Sequence, residues 1–108
     1  MTEIDNELFT LIEAVRHSHT FKEYDRCRIA LKSEPELKER VDRYREENYR
    51  LQTMEDDGTL QDRIEAFAKE NMELSETPKV RAFLDAELAL CRMLQEITER
   101  VVAAIDFE

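Results

Sequence analysis

The C-terminal part of the chain contains the feature that most restricts its fold, a helical pattern that begins at Thr77–Pro78 and has no break. Thr followed by Pro at the first helical position is a typical start signal for a helix. No Gly or Pro follows, and apolar residues recur at helical spacing as far as Ile105. Such a helix is about 40 Å long, whereas a compact chain of this length has a diameter of roughly 33 Å. The sequence therefore predicts a helix longer than the body that is available to cover it.

The apolar stripe of this last helix is also wider than contact with one neighbouring helix requires. Exposed apolar surface is unfavourable in water by about 25 cal/mol per Å². We therefore expect a second copy of the chain to cover the stripe, most simply in a two-fold dimer with isologous contacts. The predicted oligomer interface consists of Val80, Phe83, Leu84, Leu88, Cys91, Leu94, Val101 and Ile105.

The remainder of the chain has the pattern of four shorter helices, the first of them over about residues 4–17. Capping-box patterns at Thr20–Glu23 and Ser33–Glu36 predict the starts of the second and third helices. Gly58, the only Gly, is expected in the left-handed conformation where the third helix ends. No strand-like alternation occurs. The predicted class is all-α, with about five helices, an antiparallel hairpin of the third and fourth, and a long C-terminal helix, in an oligomeric bundle. Residues 1–108 are expected to form a single domain.

The charge of the chain restricts its partners. The net charge is −10, which disfavours binding to nucleic acid or to an anionic membrane. The apolar runs are too short to span a bilayer, and the acidic N-terminus lacks the pattern of a secretory signal. We therefore expect a cytoplasmic protein with protein partners. The mixed charges at 38–50 indicate a solvated helix face, whereas Tyr49 lies off the apolar stripe and is the candidate for contact with a partner.

The two cysteines are the first candidates for chemistry. Cys27 and Cys91 lie on apolar stripes, and the preferred interpretation is that both are small buried side chains. The alternative is a metal or iron–sulfur site, which needs four ligands, whereas one chain supplies two thiols without a CxxC spacing. Arg26 and Arg28 flank Cys27 and are candidates for lowering its pKa.

Other polar residues give only weak indications of a site. His17 and His19 are expected to cap the first helix at its C-terminal end rather than to bind metal. Glu87 lies beside the last apolar stripe, and pairing with a cation is preferred to acid–base chemistry. Asn48 and Asn71 interrupt apolar stripes, and the preferred interpretation is that they fix helix register, with simple exposure to solvent as the alternative. We therefore predict no catalytic residues, no cofactor and no metal.

Two segments resemble the YlbF/YmcA family of small bacterial helical proteins, including its YheA-type members. These segments are EYDRCRIALKSEPELKERVDRYREENYRLQ at 23–52 and TPKVRAFLDAELALCRMLQEITERV at 77–101. In the family, the long final helix opens with a pattern like xKVxxFxxAExxLxxML. The residues that match this pattern are Val80, Phe83, Ala86, Glu87, Leu90, Met93 and Leu94.

The resemblance implies an all-helical dimer or higher oligomer. It also implies a non-enzymatic regulator that assembles with partner proteins, supports competence, biofilm formation and sporulation, and influences RNA processing through ribonuclease Y. Some members carry iron–sulfur clusters and a Cys-rich tail, but this chain ends in AAIDFE with no Cys after Cys91. The expected function is thus a homo-oligomeric scaffold in bacterial developmental regulation or RNA-processing complexes. The alternative is a Cys-based redox or iron–sulfur/metal sensor.

Overall fold

The computed structural model describes residues 3–105, so that the first two residues and the last three, part of the AAIDFE end, lie outside it. Within this range the chain is helical, with no strand. The prediction of an all-α fold with a long C-terminal helix is confirmed. The helices are α1 (Asp5–Arg16), α2 (His19–Lys32), α3 (Pro35–Thr53), α4 (Leu60–Glu70), α5 (Met72–Glu76) and α6 (Pro78–Ile105).

The described part of the chain has one helix more than the five expected, because the predicted fourth helix is divided. Asn71 ends α4 and precedes α5, with φ −108° and ψ 10°. Its side-chain Nδ2 donates a hydrogen bond to the carbonyl of Phe67 at 2.9 Å. Asn side chains compete in this way with the backbone for hydrogen-bond partners, which favours a helix end. The role of Asn71 in helix register stays a prediction.

Two helix starts differ in detail from the prediction. Ser18 Oγ accepts a hydrogen bond from the backbone N–H of Phe21 at 3.1 Å, so α2 begins one residue before Thr20. The hydroxyl of Ser33 donates to a carbonyl of α2 rather than capping α3. Neither predicted capping box therefore starts its helix, because Ser18 takes the place predicted for Thr20 and the Ser33 hydroxyl bonds to a carbonyl of α2. Pro35 does lie in the first turn of α3, as expected.

Helices α3 and α4 form the predicted antiparallel hairpin around a short loop, residues 54–59. The rings of Tyr44 and Phe67 stack between the two helices, with centroids 5.0 Å apart and an angle of 21°. Gly58 has φ +92°, which confirms its predicted positive φ. The predicted place is wrong, because α3 ends at Thr53 with Met54 as its C-cap, and Gly58 lies further along the loop, just before α4. A tight connection of this kind brings side chains from distant parts of the sequence to one groove.

The chain divides into two compact units. The terminal unit contains the chain up to Arg28 and the chain from Phe83 onward, and the central unit is Ile29–Ala82. The buried apolar side chains of the terminal unit are Cys27, Phe83 and Ala86. Those of the central unit are Leu31, Val41, Leu51, Leu74 and Val80.

Candidate interaction surfaces

The terminal unit exposes most of the large apolar side chains on the surface of the described chain. Ten of the fourteen exposed large hydrophobic residues between positions 3 and 105 belong to it. Helix α1 has no buried residue at all. We call this set the terminal apolar surface, and it consists of Ile4, Leu8, Phe9, Leu11, Ile12, Leu88, Leu94, Val101, Val102 and Ile105.

A groove of about 360 Å³ runs between α1 and α6 within this unit. Its lining is almost entirely apolar, and two members of the terminal apolar surface from α1, Leu11 and Ile12, face it together with Leu94 from α6. Large apolar patches on a protein surface commonly mark sites of association. The groove therefore extends the terminal apolar surface into a concave shape that can receive side chains.

The residues of the predicted oligomer interface fall into three groups by exposure. Val80 is 0% exposed in the central unit, and Phe83 is 4% exposed in the terminal unit, so the chain itself already covers both. Leu84 is half-buried. The other five are exposed, and beyond Ala86 no residue of α6 is buried. The exposed members are Leu88, Cys91, Leu94, Val101 and Ile105.

Cys27 is buried, and its Sγ lies 3.8 Å from Glu23 Oε1. Burial, followed by the negative charge of Glu23, raises the pKa of the Cys27 thiol. Arg26 acts in the opposite direction but is paired with Glu23, while Arg28 pairs with Asp25. The expected lowering by a flanking arginine thus occurs for Arg26, but burial and Glu23 outweigh it, and the pKa of Cys27 is raised on balance. A raised pKa reduces the thiolate fraction of Cys27, and the thiolate is the form that acts as nucleophile and metal ligand.

Cys91 is exposed, in contrast to Cys27. The interpretation as a buried side chain is thus confirmed for Cys27 and wrong for Cys91 in the single chain. His17 ends α1, with Nδ1 2.7 Å from the carbonyl oxygen of Glu13, and His19 begins α2. In residues 3–105, no group of three or more His, Cys, Asp or Glu side chains is placed to hold a metal ion.

The remaining candidates do not converge on one site. Tyr49 on α3 is 69% exposed, as a residue that contacts a partner needs to be. Glu87 is half-buried and has an interaction partner. Asn48 is also half-buried, and its role in helix register stays a prediction.

Sequence reasoning missed a second groove, which lies in the central unit. It has a volume of about 590 Å³ and is formed mainly by α3 and α4. Arg40 and Arg43 line it from α3, and Arg63 lines it from α4. The mixed charges of α3 indicated only a solvated face, because the sequence alone does not show that Arg63 approaches the other two. The spacing of Arg40, Arg43 and Glu47 on one helical face was the signal available.

These features define an all-α protein whose candidate sites are surfaces for association. The family model described as control of competence regulator ComK, YlbF/YmcA, matches residues 4–106. The chain therefore belongs to the YlbF/YmcA family, and the resemblance is confirmed over nearly its whole length. The description names regulation rather than catalysis. No curated protein and no solved structure matches the chain significantly. Among residues 3–105, no helix combines the length and hydropathy needed to cross a membrane.

Proposed function

We propose that the protein is a non-enzymatic regulator that acts as a homo-oligomeric scaffold for protein partners, with the chain as one family domain. Two observations support this proposal. The family description names control of a competence regulator, and the terminal unit presents an apolar surface to solvent. Developmental regulation or an RNA-processing complex is the setting that we propose for it.

The terminal apolar surface carries the proposal of self-association. Covering one large apolar side chain contributes about 1.5 to 3 kcal/mol, so a few such contacts offset the cost of bringing two chains together. A second copy is the proposed cover because both copies present the same surface, as a two-fold interface requires. The charges that flank it on α6 are of both signs, with Arg92 and Arg100 beside Glu96 and Glu99.

The molar mass of the protein in solution tests this proposal. Sedimentation velocity of the wild-type chain at micromolar concentration should give the mass of a dimer or a larger assembly. Leu94→Glu or Val101→Glu places a charge in the proposed interface and should weaken association at least tenfold, about 1.4 kcal/mol, because a buried unpaired charge is costly. A monomeric wild-type protein at these concentrations would contradict the proposal.

Met72→Glu is the matched control. Met72 is 53% exposed in the central unit, close to the 46% of Leu94 in the terminal unit. Both substitutions remove an exposed apolar side chain from a helix and add the same charge. The mass of Met72→Glu should equal that of the wild-type protein, whereas equal dissociation of both variants would show that net charge, and not the terminal apolar surface, controls association.

Partner proteins are proposed to contact the exposed faces of α2 to α4, where Tyr49 is the most exposed aromatic side chain. Aromatic residues contribute disproportionately to interfaces. This arrangement assigns self-association to the terminal apolar surface and partner selection to the exposed faces of α2 to α4.

A further inference from the structure

The groove of the central unit gathers positive charge in a chain that is strongly acidic overall. Arg40 and Arg43 line it, and neither forms a side-chain hydrogen bond or ion pair with another residue of the described chain. Arg63 donates from Nε to Thr59 Oγ1 at 3.1 Å, which leaves its two terminal nitrogens available. Three guanidinium groups with free donors on one groove are suited to binding carboxylate or phosphate oxygens.

The acidic side chains of the same groove do not cancel these charges. Glu47 lines the groove but forms an ion pair with Arg50, with Nη1 3.0 Å from Oε2. Glu70 is the second carboxylate in the lining. The groove thus keeps an excess of cationic groups while also offering acceptors to an N–H donor.

Part of the groove lining is apolar. The stacked rings of Tyr44 and Phe67 are half-buried there, and the almost fully buried Leu51 and Leu74 lie alongside. With about 590 Å³, the groove has the volume of a typical ligand site. A ligand of this groove should therefore have apolar side chains that contact these rings and negatively charged groups that contact the arginines.

An acidic amphipathic helix meets both requirements, because its apolar residues recur on one face and its carboxylates flank that face. Nucleic acid fits less well, since its continuous row of phosphates meets a protein of net charge −10, whereas the carboxylates of an amphipathic helix are few and flank an apolar face. We propose that the groove between α3 and α4 binds an acidic amphipathic helix of a partner protein. This inference rests on the proposed role as an interaction protein, but not on self-association.

A designed peptide tests the proposal by fluorescence anisotropy. The probe is a labelled helical peptide with leucines at i, i+4 and i+7 and glutamates on both sides of the leucine face. The control peptide has the same sequence with glutamines in place of the glutamates. Wild-type protein should bind the glutamate peptide roughly tenfold more tightly than the glutamine peptide, because exchange of the carboxylates removes the contacts with arginine. A labelled single-stranded RNA should bind more weakly than the glutamate peptide.

Variants on one helix locate the binding site. The double variant Arg40→Gln/Arg43→Gln should bind the glutamate peptide roughly tenfold more weakly. Lys38→Gln/Arg45→Gln makes the same charge change on α3 at two residues that contact Asp42 and do not line the groove, and it should change affinity less than about twofold. Arg63→Gln, on the opposite helix, should weaken binding as well.

Three results would overturn the inference: equal affinity for the two peptides, equal losses in the two double variants, or tighter binding of the RNA. Helical circular dichroism confirms that each variant is folded. Sedimentation of the same samples separates the two proposals, because the groove variants should keep the mass of the wild-type protein whatever that mass is.

Discussion

The central and terminal units use their apolar residues in opposite ways. The central unit buries Leu31, Val41 and Val80 to 3% exposure or less and leaves four large apolar side chains exposed in the described chain. The terminal unit exposes ten and buries only three apolar residues, one of them an alanine. Exposed apolar surface is unfavourable in water. The contrast therefore indicates that the central unit has its own core, whereas the apolar side chains of the terminal unit lack cover.

The same contrast occurs along α6 alone. Val80, Phe83 and Ala86 are buried in its first part, whereas no residue after Ala86 is. The hydrophobic pattern nevertheless continues without change to Ile105. The spacing of the apolar residues therefore shows which face of the helix is apolar. How much of that face is buried depends on the elements that pack against it.

The contrast between the two units is tested most strongly by Leu31→Ala. Leu31 is 3% exposed in the central unit, and its truncation should lower the free energy of unfolding by about 2 to 5 kcal/mol through lost burial and a cavity. Urea denaturation followed by circular dichroism measures this change. Leu88→Ala, at a residue 48% exposed on α6, makes the same chemical change and should cost less than about 0.5 kcal/mol in dilute protein.

A concentration series sharpens this comparison. If the terminal apolar surface is an interface, the cost of Leu88→Ala should grow as protein concentration rises, because association stabilises the folded chain by mass action. The cost of Leu31→Ala should not. If Leu31→Ala and Leu88→Ala lowered the free energy of unfolding equally in dilute protein, the two units would not differ in how they bury apolar residues.

Much of the fold could be predicted from the sequence because its strongest signals are local. The start of α6 at Pro78 and the left-handed Gly58 follow from backbone sterics that need no tertiary contact. The helix boundaries at Ser18 and Asn71 could not be predicted, since each depends on which nearby carbonyl or N–H the side chain finds. The Ser33 hydroxyl likewise bonds to a carbonyl of α2 instead of capping α3.

The candidate sites were less predictable than the fold. The stripe that contains Leu94 and Val101 was evident from spacing, but its periodicity does not show that Val80 is covered and Cys91 is not. The arginine groove depends on a hairpin that brings together residues far apart in the sequence, such as Arg63 and Arg40. Side-chain burial and convergence are tertiary properties, and helical periodicity does not report them.

The two cysteines provide a second test within the terminal unit. Cys27 is buried and its thiol pKa is raised, whereas Cys91 is exposed. Alkylation at neutral pH should therefore modify Cys91 about a hundredfold faster than Cys27, a difference in activation free energy of about 2.8 kcal/mol. The reagent reaches Cys27 only after local unfolding, and the raised pKa of Cys27 reduces its thiolate fraction. Mass spectrometry of peptides from a time course measures both rates, with Cys91→Ser and Cys27→Ser as single-thiol controls.

Protein concentration again separates the two residues. Cys91 belongs to the predicted interface, so its alkylation should slow as the chain associates, while that of Cys27 stays constant. Equal rates at the two thiols, or a faster reaction at Cys27, would contradict the assigned burial.

A substitution at Gly58, in the loop of the central unit, should have a smaller effect than Leu31→Ala. Its φ of +92° is strained for an L side chain, and a Cβ there would meet no atom within 4 Å. Gly58→Ala should therefore cost about 1 to 2 kcal/mol from backbone strain alone. Gly58→Asn should cost less, because Asn tolerates positive φ better than Ala does, and urea denaturation of both variants gives the difference.

If the alanine variant were instead more stable, reduced freedom of the unfolded chain would outweigh the strain, and the loop would be free to adopt a conformation with negative φ. The hairpin, and with it the arginine groove, would then depend on the packing of Tyr44 and Phe67 and not on the turn.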